Sequence, residues 1–515
     1  MVPHCMLRKL SLLLTGFFLF LNSFNTHAQD IFDSSRLHEI RITFARDNWF
    51  DILSQYYEES NFTDDKKTLK AKMQVDAVSL PEDISIRFKG VYSYQGFPGK
   101  KKPFRLNVGK YDKAQTLNGT KKFNLHNLAG DPSFLREFIA YDFLRFQGIP
   151  ASRTAFTKLY INDSYWGCYL IVEEPEDDFF LQQNFNTDKG NLFEADTTTQ
   201  LAWNGKQAKD YPEIKLQTKE QADSWKALIH WLDLINNNYQ YNFQQELNTR
   251  FDIPGFLKAL STDIFIDNWD SYAANGRNFF IYENPLTQKL SWIPWDYNLS
   301  FWEKNLPPFP QNENHKMRPL IWRFYENSYL KSQYLKSICA LISEAAVHYP
   351  LAQNIEKAQN LIKEAVAADP NKFYTYEEFL DNAYKAVTVK MLRGGALKDI
   401  YLPGITEHWK KRKNNLRKEA MSLGCDCDAI NTNKETLILD IFPNPVADRL
   451  GIYIENDIHQ LDYRILSTNA QTVKSATISL SNGLAHIDCT GLPAGYYLIR
   501  FSATTLQKTI PFIKL

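Results

Sequence analysis

Twice along this chain the hydrophobic period changes, and that change limits what it can fold into more than any single motif does. Between about residues 38 and 172, apolar and polar side chains alternate in short runs, at 38–44, 70–75, 84–88, 104–108, 157–161 and 168–172. That is the period of β-strands. An exception is 133–146, where Phe134, Phe138, Tyr141 and Leu144 share one face at helical spacing. From residue 220 onward the apolar positions recur three and four apart, predicting helices over 220–236, 253–269, 330–348, 352–368, 376–393 and 405–422. One hairpin, 279–283 with 290–293, interrupts them. After about residue 436 the alternation returns in short strands separated by Asn, Gly, Ser and Asp turns, the pattern of a small β-sandwich. The expected architecture is therefore α+β: a two-lobed body over 30–424, a polar linker at 425–435, and an all-β sandwich at 436–515. Clefts between lobes are where ligands usually sit.

The N-terminal stretch 1–29 reads as a secretory signal, with Arg8 and Lys9 before an apolar run at 10–21 and Thr26-His27-Ala28 as a small-residue cleavage site. That run is shorter than the roughly 20 residues a membrane span needs, so no integral membrane segment is expected in the mature form. Export bears on the cysteines. Loss of Cys5 with the signal leaves Cys168, Cys339, Cys425, Cys427 and Cys489, an odd number and no disulfide scaffold. Cys425-Asp426-Cys427 lacks a second Cys or His pair at zinc-finger spacing, so a disulfide or idle thiols are expected there. Lys and Arg number 59 against 59 Asp and Glu. No nucleic-acid partner is expected from so even a balance. By the same reasoning the basic run Lys410, Lys411, Arg412, Lys413, Arg417 and Lys418 reads as a solvated helix face.

Chemistry concentrates in two places. The first gathers Arg87, Lys89, Lys100, Lys101, Lys102 and Arg105 around a turn containing Gly and Tyr. Such a hairpin can hold phosphates, or it can be a Lys cluster in solvent at a strand end. The second runs from Asp270 through Asn275 and Asn278 to Asp296 after a short hairpin. Phosphoryl transfer needs one carboxylate to accept the nucleophile's proton, and an Asn with a second carboxylate to hold Mg²⁺ against the phosphates. The alternative is that these Asp and Asn residues cap helices and turns.

Lys101-Lys102-Pro103-Phe104-Arg105-Leu106, Phe123-Asn124-Leu125-His126-Asn127-Leu128, Leu135-Arg136-Glu137, Gly148-Ile149-Pro150, Asn268-Trp269-Asp270, Arg277-Asn278-Phe279 and Pro294-Trp295-Asp296 occur in that order. Together they resemble the spore-coat protein H (CotH) kinase family. The resemblance implies an atypical protein-kinase-like fold using ATP and Mg²⁺ or Mn²⁺. It implies Asp270 as the catalytic or metal-adjacent carboxylate, and Asn278, Asp296 and Asn298 as metal ligands, with Asn275 the lesser choice beside Asn278. Lys102 would be the phosphate-contacting lysine, with Lys89 and Arg87 in reserve. Glu137 would orient that lysine, and residues 170–174, Glu173 among them, would line the nucleotide's base. Asn298 stands where the family often has Asp, which leaves one negative charge fewer on a metal. The C-terminal phrases Phe442-Pro443-Asn444-Pro445, Gly491-Leu492-Pro493-Ala494-Gly495-Tyr496-Tyr497 and Ile513-Lys514 resemble the sorting domain of the type IX secretion system of Bacteroidota.

The leading expectation is thus an exported or cell-surface kinase acting on Ser or Thr of surface or secreted proteins and handled by the type IX secretion machinery. Two others stand beside it. ATP is scarce outside the cell, so a catalytically silent surface-assembly or binding protein with the same fold is the alternative. A carbohydrate-active enzyme is the third, because Asp270 and Asp296 across an aromatic cleft would also suit glycoside chemistry.

Overall fold

The computed structural model describes residues 30–515 except 61, 62, 64, 196, 239–242, 310–316, 394–395, 428–438, 443, 455–458, 482–483 and 504–505. The signal expected at 1–29 and most of the expected linker lie outside the described residues. The early strands are β1 (His38–Thr43), β2 (Leu69–Val75), β3 (Val78–Ser79), β4 (Ile84–Phe88), β5 (Phe104–Asn107), β6 (Lys122–His126), β7 (Thr154–Ile161) and β8 (Ser164–Glu173). They run in the order β1-β7-β8-β6-β5-β4-β2-β3, and β1 also pairs with β2, so seven strands close into a barrel. Ile40 faces Val75 across one seam and Leu159 across the other. The β7–β8 hairpin turns at Asn162 and Asp163, both at positive φ (46° and 63°), the backbone a two-residue hairpin turn requires.

Closure corrects the two-lobed expectation. The inward pleat of the barrel (Ile40, Met73, Ile86, Leu106, Phe123, Leu159, Ile171) makes one core, joined by Trp49, Leu53 and Tyr57 of the helix Trp49–Ser60. The outward pleat of β7 and β8, with Phe156, Leu170 and Val172, belongs to a second core. That core continues through the helix Arg136–Phe146 and a four-stranded sheet to the helix Ile405–Ser422. Because both faces of these strands are buried, the strand-rich half is a closed barrel whose wall is part of the helical body. It is not a separate kinase-like lobe.

The four-stranded sheet has the order β10-β9-β11-β12, from β9 (Asn191–Ala195), β10 (Lys215–Leu216), β11 (Phe279–Asn284) and β12 (Lys289–Pro294). A further correction lies at 376–393. The helix there ends at Asn382, and a hairpin of β13 (Val387–Arg393) and β14 (Ala396–Leu402) follows. β-Branched Val387, Thr388 and Val389 favour the pleated backbone, and Val389 and Met391 turn to the core on alternate positions.

The tail forms two sheets over one core: β15 (Leu439–Phe442), β16 (Arg449–Ile454) and β19 (Leu484–Asp488) in one, and β17 (Gln460–Leu466), β18 (Thr472–Ser479), β20 (Gly495–Ala503) and β21 (Leu506–Lys514) in the other. Before it, Cys339 and Cys427 form a disulfide spanning 88 residues, while Cys168, Cys425 and Cys489 are free. The bridge ties the end of the helical body to the helix Ser328–Ala340. Replacing Cys339 by Ser is expected to cost about 2–4 kcal/mol in urea unfolding. A variant as stable as the parent would show that the bridge closes nothing.

Candidate active site

The β11–β12 hairpin builds the centre of the site. Phe279 pairs with Pro294, so the residues just outside the pairing, Asn278 and Trp295–Asp296, emerge together at the open end. Trp295 N–H donates to the Asn278 carbonyl at 3.1 Å. Asn278 and Asp296 both adopt positive φ, 62° and 55°. Asn and Asp tolerate that region better than other side chains, and such outliers concentrate at functional sites.

Asp270 reaches the same end from the turn before the short helix Tyr272–Asn275. Its carboxylate accepts from Asn275 Nδ2 at 2.9 Å and Asn278 Nδ2 at 3.0 Å, and Arg277 Nε lies 3.7 Å away. Asn278 Nδ2 also donates to the Asp270 carbonyl at 2.9 Å. The order Asp270, Asn275, Asn278 in sequence is thus one hydrogen-bonded unit in space.

Behind Asp296 stands the helix Arg136–Phe146. Asp296 N–H donates to Tyr141 Oη at 3.0 Å, and Glu137, one turn earlier, is buried beside them. His126 on β6 completes the group, its Nδ1 lying 2.8 and 3.0 Å from the two Glu137 oxygens. Candidate ligand atoms of His126, Glu137 and Asp296 all lie within 4.8 Å of one another. Asp296 Oδ1 is buried with no hydrogen-bond partner among the described residues. A buried, unpaired carboxylate oxygen is costly unless a cation or proton meets it, so the Asp296 oxygen, with Glu137 beside it, fits a divalent ion.

Electrostatics agree with the geometry. Burial, then the neighbouring Glu137 and Asp270 charges, push Asp296 up to about 6 against the pull of His126 and Lys89. Burial pushes Glu137 up to about 8, and burial with Lys89 holds His126 down to about 3. Asp263, buried under Tyr297, is raised to about 7. A carboxyl raised on folding keeps its proton where the unfolded chain has released it. Its stabilising effect is complete below the unfolded value and fades as pH climbs to the folded one. His126 acts oppositely, but only between about pH 3 and 6.5. Of these four groups, Glu137 has the largest share of its titration between about pH 7 and 8, where Asp263 releases the rest of its proton. The melting temperature is therefore expected to fall across that interval without divalent ions, and Glu137→Gln to make the fall shallower. An unchanged slope in the variant would sink this assignment.

The cations are not where the resemblance implies. Lys102 Nζ donates to the carbonyls of Tyr94 at 2.7 Å and Phe97 at 2.8 Å, away from Asp296. Lys89 is the lysine at the site: its Nζ lies 3.2 Å from His126 Nε2 and 5.1 Å from the centre of the Trp295 ring. Glu137 accordingly faces His126 and not Lys102. Arg87 shares the outward pleat with Lys89, near Arg105, Glu174 and Glu194, and burial with the Arg105 charge holds it down to about 10. Glu173 is outside the cluster, locked to Arg153 through Nη2 at 2.6 Å and Nε at 3.0 Å. Asn298 sits half-buried two residues past Asp296. The residue that sequence reasoning missed is His126. A groove of about 1030 Å³ lined by Phe146, Leu257 and Tyr329 lies elsewhere and shares no residue with this cluster.

The barrel wall, the acid-tipped hairpin and the terminal sandwich define a protein with a carboxylate site beside a closed barrel. The chain belongs to the CotH kinase protein family, whose model matches residues 86–418. A secretion system C-terminal sorting domain matches 440–514. That tail directs the chain through type IX secretion to the cell surface or the medium. No helix among the described residues is long and apolar enough to cross a membrane. Among curated proteins, inner spore coat protein H of Bacillus subtilis (strain 168) is 23% identical over 243 residues, covering 46% of this chain and 63% of that protein. The chain thus spans less than two thirds of that relative's length.

Proposed function

We propose that this protein is a phosphotransferase that moves the terminal phosphoryl group of ATP to Ser or Thr of surface or secreted proteins. The observation that carries the reading is the unpartnered Asp296 Oδ1, set among Glu137, His126 and Asp270 at a left-handed backbone position. Asp296 would hold Mg²⁺ or Mn²⁺, with Glu137 beside it and Asn278 and Asn298 on the flanks. A bound ion supplies charge neutralisation against the phosphates. Asp270, held by two amide donors, would accept the proton of the attacking hydroxyl. Lys89, with Arg87 next along the strand face, supplies positive charge for the phosphates.

Incubation of the full chain with γ-labelled ATP and Mg²⁺ or Mn²⁺, alone and with a generic Ser/Thr acceptor, tests the proposal. Label on the chain or the acceptor, lost in Asp270→Ala at unchanged melting temperature, is the expected result. Absence of transfer, with no nucleotide-dependent rise in melting temperature, would leave a surface-assembly role in its place.

A further inference from the structure

The ion pair expected between a phosphate-binding lysine and a helix glutamate is replaced here by a three-membered chain. Lys89 Nζ lies 3.2 Å from His126 Nε2, and His126 Nδ1 lies 2.8 Å from Glu137. An ammonium group has only protons to give. Nε2 must therefore accept, which leaves the ring proton on Nδ1, where it is donated to Glu137. The imidazole thus has one defined tautomer, set by its two neighbours. His126 is nearly fully buried on the outward pleat of β6, and its ring meets Trp295 edge-on at 6.3 Å between centroids.

A direct pair would draw the lysine down onto the carboxylate. With the imidazole between them, Glu137 fixes the ring and the ring fixes the ammonium, which keeps N–H groups for another acceptor. The face of Trp295 holds the same ammonium from the side.

We infer that His126 is a positioning residue, which aims the Lys89 ammonium at the phosphate group of the nucleotide by bridging it to Glu137. The inference rests on the proposed phosphotransferase reading and adds to it the device that orients the lysine. His126 makes no contact with the transferred group, so its loss acts through Lys89.

The experiment compares His126→Leu, His126→Gln, Lys89→Met and the double variant His126→Leu/Lys89→Met in the full chain. KM for ATP, kcat and melting temperature are measured for each. His126→Leu is expected to raise KM for ATP about tenfold, which corresponds to losing one well-placed charged hydrogen bond. Glutamine, which can accept from Lys89 and donate to Glu137, is expected to restore most of that loss. The double variant is expected to be no worse than Lys89→Met alone, because both changes remove the same contact. Additive losses, or a leucine variant with parental KM, would overturn the role of His126 while leaving the phosphotransferase reading intact. A parent chain that transfers no label removes both. Imidazole ¹⁵N shifts provide an arm independent of turnover: an Nδ1-protonated ring that changes in Lys89→Met is expected, and an Nε2-protonated ring would refute the bridge.

Discussion

Asp296→Asn is expected to abolish phosphoryl transfer while leaving the protein as stable as its parent, or more so. Asp296 is half-buried beside the carboxyl groups of Glu137 and Asp270, and one of its oxygens is buried with no described group to meet it. Folding must desolvate this group and place it beside like charges. Asparagine keeps the shape and tolerates the left-handed backbone, yet removes the charge. In the absence of metal, the melting temperature should rise or hold. With Mg²⁺ or Mn²⁺ the order should reverse, because the parent gains stability from the ion by mass action and the variant does not. Transfer should fall by at least about 100-fold, since a charged metal ligand contributes several kcal/mol to the transition state. A lower melting temperature in the variant without metal would identify Asp296 as a structural capping residue and remove the main support for the proposed activity.

The same residues show how far local sequence reasoning reaches. Periodicity located the hairpin of β11 and β12, and with it the joint appearance of Asn278 and Asp296, because that pairing is local. Barrel closure was not legible. It depends on β1 meeting both β2 and the distant β7, and a two-residue period states only that a strand has faces, not which strands they meet. The choice among lysines was recoverable in principle. Phe88 and Phe104 point into the barrel core, so pleat parity sends Lys89 outward and Lys102 inward, and likewise turns His126 outward beside inward Leu125. Parity identifies which residues share a wall. It does not reveal that this wall faces Glu137, which comes from a helix on the other side of the site. At 376–393, apolar positions compatible with both periods were assigned to a helix, and the β-branched run at 387–389 was the signal that favoured the pleat.

The lysine run at 100–102 contains the largest stability effect. The sequence offers a solvated cluster or a phosphate grip, and Lys101 is neither. It is fully buried, and its ammonium donates to Asp369 Oδ2 at 2.6 Å. The rings of Phe134 and Tyr169 stand 4.9 and 5.3 Å from it. Asp369 closes the helix Leu351–Ala368 and also accepts from Cys168 N–H at 3.0 Å and Asn371 N–H at 2.8 Å. The pair therefore joins the barrel strand β8 to the end of a helix in the outer body. Gly167 is part of the same fit, since a Cβ there would lie 2.6 Å from Asp369 Oδ1. Lys101→Met retains the stem volume but strands the carboxylate, at an expected cost of about 3–5 kcal/mol in urea unfolding. Adding Asp369→Asn to Lys101→Met removes the stranded charge while keeping an acceptor for one of the two backbone N–H groups, which bind different carboxylate oxygens. The double variant should thus be more stable than Lys101→Met alone, although each change singly destabilises. If the double variant is instead the least stable, the carboxylate's bonds to Cys168 and Asn371 outweigh its pairing with Lys101, and the seam between barrel and helix is held by the backbone cap.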